Sequence, residues 1–420
     1  MQQTISKRAK GITYLLMLVY FGSYIMRINF AAMLATIYPD IGVTKSAISV
    51  VITGMTVFYG AGQIINGILG DKIKPKYMLT AGLALAATCN IGMFFCTTVP
   101  AMTAVWCVNG FAHAMLWPPI VRLMSANLTD TEYGYAAVRV SCASSIGTIL
   151  IYSMCPLLLK IISWRWIIFC LAIVGFAIAA LWVLLYPRLF KKAPGSEIVE
   201  KKEEVAPVEK KAVPLPRVVW VSVVLIFIGI VLQGMLRDGV TNWMPSYLLE
   251  SFGMPAENAI FATVILAVFS MISFTVFDLL HRKVFHNEVT CAAVIFVGSA
   301  ACAFLLYIIN LFASSVITSM LLMAVIVACM HGINLMLITV VPKRFIKSGK
   351  VSTFSGLLNA GTYVGAAIAT PVFALIAENA SWNMNVLTWA LISVAGALVC
   401  IGTVPLWVKF RKKYSDNPEV

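Results

Sequence analysis

Long apolar stretches alternate with short polar connections along nearly the whole chain. An apolar run of about 20 residues can cross the hydrocarbon core of a bilayer as an α-helix. About twelve such runs are present, at approximately 12–35, 46–69, 78–98, 101–124, 135–159, 165–186, 218–241, 258–280, 289–310, 314–340, 351–376 and 384–408. A membrane barrel would instead need alternating segments of about ten residues, which the chain lacks. The pattern predicts an all-α membrane protein with twelve transmembrane helices.

One polar segment, residues 187–217, interrupts this pattern near the middle of the chain. It mixes charges of both signs with prolines and has no apolar periodicity, which is typical of a flexible linker. The predicted domains are an N-terminal six-helix bundle at 1–186, a cytoplasmic linker at 187–217 and a C-terminal six-helix bundle at 218–420. Secondary transporters use two pseudo-symmetric halves of this kind around a site near the bilayer midplane.

Composition and charge agree with this prediction. Hydrophobic residues make up 60% of the chain and charged residues 11%, so an ordinary soluble domain is excluded. If both termini are cytoplasmic, 26 of the 31 Lys and Arg residues lie on the inner side, because only Lys45, Lys160 and Arg165 fall outside and two arginines lie within the spans. This positive-inside asymmetry favours a multi-pass protein of the cell membrane. It explains the net charge of +14 mainly as a signal that sets topology, with contact to membrane lipid as a minor contribution and without a nucleic-acid partner.

Two arginines are placed unusually. Arg27 and Arg237 each stand inside an apolar run, one in each half of the chain. A cation at membrane depth is costly, at roughly 2.5–3.5 kcal/mol on insertion scales, so it should face protein or water and mark a functional site. A planar guanidinium suits phosphate or carboxylate. The pair therefore suggests an anion pathway between two related halves.

Further binding candidates lie near these arginines or at similar depth. Tyr20 and Tyr24 share a helical face with Arg27, because the three residues follow i, i+4, i+7 spacing. The remaining candidates pair polar groups with aromatic walls, and they are Tyr59, Gln63, His113, Trp117, His331 and Tyr363. Each of these aromatic and polar residues could instead serve ordinary helix packing. Pro118-Pro119, directly after Trp117, should bend or break its helix.

Asp238 directly follows Arg237. Adjacent helix positions differ by about 100°, so the two side chains do not share one face squarely. Three roles stay open for Asp238: a partial counter-ion, a proton acceptor for coupled symport, or a residue at the outer mouth. The histidines and the ten cysteines show no metal-ligand spacing, so neither a metal nor a cofactor is expected.

The loop after the second apolar run reads Gly67-Ile-Leu-Gly-Asp71-Lys72-Ile-Lys-Pro-Lys76. It resembles the loop between the second and third helices of the major facilitator superfamily. This resemblance implies that Gly67, Asp71 and Lys72 belong to a cytoplasmic gate, in which the aspartate caps or pairs across the gate. The alternative is a turn that only sets topology. A degraded counterpart, Asp278-Leu-Leu-His-Arg282-Lys283, occupies the matching place in the second half.

The chain as a whole, over roughly residues 10–410, resembles the organophosphate:phosphate antiporters of that superfamily, such as glycerol-3-phosphate and hexose-phosphate transporters. The matching motifs are Tyr24-Ile-Met-Arg27-Ile-Asn29-Phe30, Phe58-Tyr59-Gly60, Asn109-Gly110, Trp117-Pro118-Pro119, and Arg237 with Trp243, Pro245 and Tyr247-Leu248. The resemblance implies that Arg27 and Arg237 bind the phosphate group. It places Tyr20, Tyr24, Tyr59, Trp117 and Tyr363 near the site.

The chain also departs from that family. Gln63 and Ile28 stand where the family often has lysines, Ser144 where the glycerol-3-phosphate type has a histidine, and Gly234 where it has a tyrosine. The predicted cavity therefore holds fewer cations than in its relatives.

The expected function is secondary active transport of phosphorylated small organic anions, in exchange for inorganic phosphate, by alternating access. A proton-coupled organic anion symporter and a membrane sensor of sugar phosphate are the alternatives. An enzyme is not expected, because the chain shows no nucleophile–base constellation, P-loop or metal motif. The resemblance implies a monomer.

Overall fold

The computed structural model describes residues 5–190, 215 and 217–415. Twelve helices in this part of the chain are long and apolar enough to cross a membrane. They are α1 (Lys7–Ala32), α2 (Lys45–Lys72), α3 (Pro75–Phe95), α4 (Val99–Asn127), α5 (Asp130–Leu158), α6 (Trp164–Phe190), α7 (Arg217–Phe252), α8 (Val264–Phe285), α9 (Glu288–Phe312), α10 (Val316–Lys343), α11 (Val351–Asn379) and α12 (Trp382–Ser415). The all-α prediction with twelve spans is confirmed.

The predicted linker at 187–217 lies mostly outside the described residues. Its first four residues, 187–190, continue α6, so that helix is longer than the apolar run predicts. Its last residue, Arg217, begins α7. Two short helices, Leu34–Asp40 and Ala256–Ala262, lie beside the ends of α1 and α8.

Side-chain caps define several helix starts. The Ser6 hydroxyl accepts the Ala9 amide at the start of α1. At α5, Thr129 and Glu132 form a capping box, in which each side chain accepts the other residue's backbone N–H. Asn287 accepts two amides at the start of α9. Such caps satisfy amides that the first helical turn leaves without partners.

The helix α4 is broken, as the two prolines predict. Its segments are Val99–Ala114 and Trp117–Asn127, separated by a turn at Met115 and Leu116. Pro118 and Pro119 lie in the first turn of the second segment, where a missing N–H is tolerated. Trp117 is buried and begins the second segment, directly after the break.

Helices of the same half of the chain contact one another extensively. In the first half, α1 contacts α5 and α6, α2 contacts α4, and α3 contacts α6. In the second half, α7 contacts α11 and α12, α8 contacts α10, and α9 contacts α10 and α12. The halves meet where α2 packs on α11 and α5 packs on α8. Since twelve spans return the chain to its starting side, α1 begins and α12 ends at one face, which we call the terminal face.

Candidate functional site

A cavity of about 460 Å³ lies between the two halves. Helices α1 and α5 of the first half and α7, α8 and α10 of the second half form its walls. Its lining includes Tyr24, Arg27, Ile28, Ser144, Ser145, Thr148, Ile149, Tyr152, Arg237, Asp238, Thr241, Asn242, Pro245, Thr263, Val264, Ser270 and His331. Helices α1, α5 and α7 run away from the terminal face, and α8 runs towards it. Thr241, Asn242 and Pro245 follow Arg237 on α7, and Thr263 and Val264 lie at the start of α8. The cavity therefore extends towards the face opposite the terminal face.

Arg27 is held between aromatic rings. Its guanidinium carbon lies 4.2 Å from the ring centre of Tyr24 and 4.9 Å from that of Tyr59. Stacking on aromatic faces stabilises a cation while leaving its N–H groups available for an anion. Within residues 5–190 and 217–415, Arg27 forms no ion pair with a carboxylate. It is therefore a positive charge without a counter-ion at the cavity wall.

Arg237 has its own counter-ion. Its Nε and Nη2 donate to the two carboxylate oxygens of Asp238 at 2.8 and 2.9 Å. A guanidinium has five N–H donors, so this bidentate contact leaves the Nη1 edge available. Three charged groups thus line the cavity, and their sum is one positive charge.

Buried amides hold both arginine-bearing helices in register. In the first half Asn90 donates to the carbonyl of Met26, directly before Arg27, at 3.1 Å, and accepts from Asn29 at 2.7 Å. In the second half Gln233, one turn before Arg237, donates to the carbonyl of Met330 at 3.0 Å. Each arginine also lies 20 residues after the first residue of its helix, since α1 begins at residue 7 and α7 at residue 217. The two halves therefore present their cations at matching depth.

A smaller cavity of about 30 Å³ forms the floor of the site, on the terminal-face side of the arginines. Tyr20 and Trp117 line it with ring centres 4.8 Å apart, and Tyr59 and Tyr363 line it with ring centres 4.7 Å apart. The second pair joins the halves, because Tyr59 lies on α2 and Tyr363 on α11. The ring centre of Tyr363 also lies 5.9 Å from the guanidinium carbon of Arg237. A continuous aromatic floor therefore connects the two cations.

Contacts between the halves concentrate at the terminal face. The Asp71 carboxylate accepts the backbone N–H groups of Ser352 and Thr353, each at 2.8 Å. The Ser352 hydroxyl donates to the carbonyl of Pro118 at 3.2 Å. Tyr133 donates to the carbonyl of Thr339, and Lys343 pairs with Asp130. The structure is therefore closed at the terminal face, while the cavity extends the other way.

Comparison with known proteins places these features in a family. Residues 16–352 match the Major Facilitator Superfamily. The chain belongs to the Major Facilitator Superfamily. It is accordingly a multi-pass membrane transport protein and not an enzyme, and its twelve helices adopt the fold of that superfamily.

Curated relatives narrow the group within the superfamily. The glycerol-3-phosphate transporter of Bacillus subtilis (strain 168) is 24% identical over 384 residues, which cover 87% of this chain and 85% of the relative. A probable hexose phosphate transport protein of Chlamydia trachomatis is 26% identical over 204 residues, covering 47% and 44%. The probable sulfoacetate transporter SauU of Cupriavidus necator is 22% identical over 422 residues, covering 97% and 96%. The predicted resemblance to the organophosphate:phosphate antiporters is confirmed.

The structure brings most of the predicted site residues of this superfamily member together. Those that line the two cavities are Tyr20, Tyr24, Arg27, Tyr59, Trp117, Arg237, Asp238, His331 and Tyr363. His331 packs edge-on against Phe274, with ring centres 5.6 Å apart. The Nε1 atom of Trp117 is buried at the floor without a hydrogen-bond partner among the described residues, so it can donate to a ligand.

Two predicted site residues lie elsewhere. His113 is buried within the first half, where its Nδ1 is 2.9 Å from the hydroxyl of Ser23, and it lines neither cavity. Gln63 is buried at the contact between α2 and α11, where its carbonyl oxygen would lie only 2.1 Å from a Cβ added to Gly356. Both residues are almost fully buried, and neither lines one of the two cavities in this conformation. We therefore leave them out of the proposed site.

Other lining residues were missed by the sequence analysis. Asn334 and Asn359 line the smaller cavity, and Thr241 and Asn242 line the larger one. Their helical spacing from predicted site residues could have identified three of them. Asn334 follows His331 by three residues, Asn359 precedes Tyr363 by four and Thr241 follows Arg237 by four, so each shares a face with a predicted residue. Within the described residues, no group of three His, Cys, Asp or Glu side chains is arranged to hold a metal ion.

The predicted gate loop is positioned by its aspartate. Asp71 caps α11 from the other half, because Ser352 and Thr353 lie in the first turn of α11, where amides lack helical partners. Arg122 supports the loop by donating to the carbonyls of Gly70 and Ile73 at 2.6 and 3.2 Å. Lys72 is exposed. The aspartate therefore connects the halves directly.

Replacing Asp71 by asparagine should loosen this closure. Asparagine has one acceptor oxygen in place of two and no negative charge for the helix dipole, a loss of about 1–2 kcal/mol. We expect hydrogen exchange at the amides of Ser352 and Thr353 to rise about tenfold. Lys72→Gln is the matched control and should leave exchange unchanged. Equal protection in Asp71→Asn and the unsubstituted protein would show that this carboxylate does not hold the gate.

Proposed function

We propose that this protein exchanges phosphorylated small organic anions for inorganic phosphate by alternating access. The observation that carries the proposal is that an arginine from each half lines one cavity. The two arginines can bind one anion at the same time only if the two halves lie close together on both sides of that anion. Binding energy is then available to move the halves relative to each other.

The charges of the cavity suit this ligand. Arg27 has no counter-ion among the described residues, and the Nη1 edge of Arg237 stays open beside Asp238. Phosphate can accept several N–H groups at once, and charge-assisted contacts of this kind are about twice as strong as neutral ones. Tyr24 at the cavity wall can add a neutral donor.

The closed terminal face defines the proposed transport cycle. With both termini cytoplasmic, as the positive-inside pattern favours, this conformation faces outward. Substrate enters from the outer side, contacts both arginines and draws the upper parts of the halves together. The contacts of Asp71 with α11 then break, and the cavity opens inward. We also propose that one chain is sufficient for this cycle.

The site and the relatives support the proposed substrate class. The relatives named above include a glycerol-3-phosphate transporter and a probable hexose phosphate transport protein. The cavity of about 460 Å³ has room for a small metabolite. Ile28 and Ser144 at its wall stand where the antiporter family has basic residues, so fewer cations contact the organic part of the substrate.

A counterflow assay tests this proposal. Proteoliposomes loaded with labelled inorganic phosphate are challenged from outside with a panel of phosphorylated, sulfonated and carboxylated metabolites. We expect phosphorylated compounds to release the label fastest. Release by carboxylates or sulfonates alone, with none by any phosphate ester, would reject the proposed substrate class.

Proton-coupled uptake of organic anions is the second candidate, and the Arg237–Asp238 pair favours it. A substrate that takes the Nε edge of Arg237 would release the Asp238 carboxylate, which then becomes available to accept a proton. The Asp238 side chain lines the cavity and is 25% exposed, so a proton can reach it.

Asp238→Asn separates the two candidates. For a phosphate exchanger we expect the variant to keep exchange within about tenfold of the unsubstituted protein, because both guanidinium groups remain. A pH gradient alone should drive no uptake in either form. If a pH gradient drives uptake and Asp238→Asn abolishes that response, the protein is a symporter.

A further inference from the structure

A third cavity, of about 260 Å³, lies at the side of the molecule between α5 and α8. We call it the lateral cleft. Its lining consists of Tyr135, Val138, Arg139 and Cys142 from α5, and Thr275, Asp278, Leu279 and Arg282 from α8. It therefore lies at a contact between the halves, away from the central cavity.

Arg139 also lies inside a membrane-spanning helix, although the charge count of the sequence assigns it to the inner face. It lies nine residues after the start of α5 at Asp130, which corresponds to about 14 Å along the helix. Its guanidinium carbon is 3.4 Å from the ring centre of Tyr135, and its Nη1 donates to the carbonyl of that residue at 3.3 Å. Among the described residues it pairs with no carboxylate. A cation at this depth calls for an anionic partner.

The other half supplies a second cation. Arg282 pairs with Asp278 and keeps 38% of its side chain exposed. The cleft thus contains two positive groups and one negative group. Gly134 of α5 lets this pair approach closely, because a Cβ added there would lie 3.1 Å from the Asp278 carboxylate and 3.5 Å from the Arg282 guanidinium carbon.

The equivalent contact between α2 and α11 is built differently. There Asp71 caps the first turn of α11 and the glycines Gly67 and Gly356 bring the two backbones together. Asp278 corresponds to Asp71 by its place in the sequence, yet its hydrogen-bond partner among the described residues is Arg282. One contact between the halves is therefore closed by protein groups, and the other leaves a charged opening.

The lateral cleft borders the lipid-facing surface. Its rim includes Leu279, which is 43% exposed, and Tyr14, which is 54% exposed and whose hydroxyl lies 3.3 Å from that of Tyr135. Along α8, the exposed apolar side chains of Ile272 and Val276 continue the same surface towards the membrane centre. Acyl chains can follow this surface while a headgroup enters the cleft.

We propose that the lateral cleft binds the phosphate of an anionic phospholipid. The phosphate contacts Arg139 from the first half and Arg282 from the second half, and the acyl chains lie along α8. Since the two arginines belong to different halves, the bound lipid stabilises the conformation that is closed at the terminal face. The inference is independent of what the central cavity carries.

Native mass spectrometry of the purified full-length protein can test the lipid site. The protein is mixed with phosphatidylglycerol or phosphatidylcholine, and the bound lipids are counted. We expect phosphatidylglycerol to be retained preferentially and its affinity to fall about fivefold in Arg139→Gln. Arg139→Lys keeps the charge, and its affinity for phosphatidylglycerol should lie between that of Arg139→Gln and that of the unsubstituted protein. Lys412→Gln removes one exposed charge from the same face that does not line the cleft, and this variant should bind phosphatidylglycerol normally.

A second readout uses Cys142, a free thiol in the cleft. Modification of Cys142, followed by peptide mass spectrometry, should be slower in vesicles of phosphatidylglycerol than in vesicles of phosphatidylcholine. This comparison needs no substitution and stays informative if Arg139→Gln does not fold. Equal protection by both lipids, normal lipid binding by a folded Arg139→Gln, or equal protection by inorganic phosphate alone would overturn the assignment.

Discussion

Arg27→Lys is expected to abolish phosphate exchange in proteoliposomes, lowering the rate about 100-fold or more. Lysine keeps the charge but replaces the planar fork of donors by a single ammonium, which cannot hold phosphate in bidentate form. Losing one partner of a desolvated charge pair costs about 2–5 kcal/mol, and each 1.4 kcal/mol corresponds to a factor of ten. Arg27 has no counter-ion among the described residues, so it should contribute more than Arg237, which shares its charge with Asp238.

Arg237→Lys should also abolish exchange, with a somewhat smaller loss of phosphate affinity. Arg188→Lys provides the matched control, because Arg188 lies exposed near the end of α6 and should tolerate the change. All three variants must show the same thermal unfolding midpoint for the comparison to be valid. Exchange close to that of the unsubstituted protein in either cavity variant would remove the basis of the proposed function.

Gly356→Ala is expected to prevent closure at the terminal face. A Cβ at this position would lie 2.1 Å from the carbonyl oxygen of Gln63 and 2.8 Å from the Cα of Gly67, both on α2 of the other half. These are backbone atoms, so the two halves must separate to make room. Forcing an additional methyl into such a contact costs typically 1–3 kcal/mol. The equilibrium then shifts towards forms that are open at the terminal face, and exchange should fall about tenfold or more.

Gly402→Ala is the control for that variant, since a Cβ added at Gly402 of α12 meets no atom within 4 Å. Hydrogen exchange distinguishes a shift between conformations from general destabilisation. The amides of Ser352 and Thr353 should lose protection in Gly356→Ala, whereas the interiors of α9 and α12 keep theirs. Full transport activity in Gly356→Ala would mean that the close approach of α2 and α11 is not part of the cycle.

Much of the fold can be predicted from the order of apolar and polar residues along the sequence. Twelve spans follow from hydropathy because a bilayer permits few structures besides apolar helices of this length. The two central arginines are equally visible, since charge inside an apolar run is rare for a physical reason. The break of α4 follows from Pro118 and Pro119, which cannot continue a regular helix.

The sequence pattern does not predict which neighbouring helix an individual polar side chain contacts. Gln63 and His113 share the spacing of real cavity residues, but neighbouring helices cover them. Hydropathy describes the depth of a residue and says little about which neighbour it meets. Asp238 illustrates a different limit. Its angular offset from Arg237 left three roles open, and in the structure the long arginine side chain turns back and forms a bidentate pair with it.

Charge clusters between distant segments are also absent from the sequence pattern. Glu288 at the start of α9 is buried and accepts from Arg344 and Arg411 at 3.0 and 3.1 Å, with Trp407 as a further donor. These residues come from three separate segments of the second half. Only the packed structure shows that they anchor its terminal-face end.

The most direct test of the shared anion site is a double-mutant cycle on phosphate affinity. Binding of labelled phosphate is measured for the purified protein, for Arg27→Lys, for Arg237→Lys and for the double variant. If both guanidinium groups hold the same anion, either single change should remove most of the affinity, and the second should add little. Losses that add independently, or a single variant with unchanged affinity, would contradict a common site between the halves.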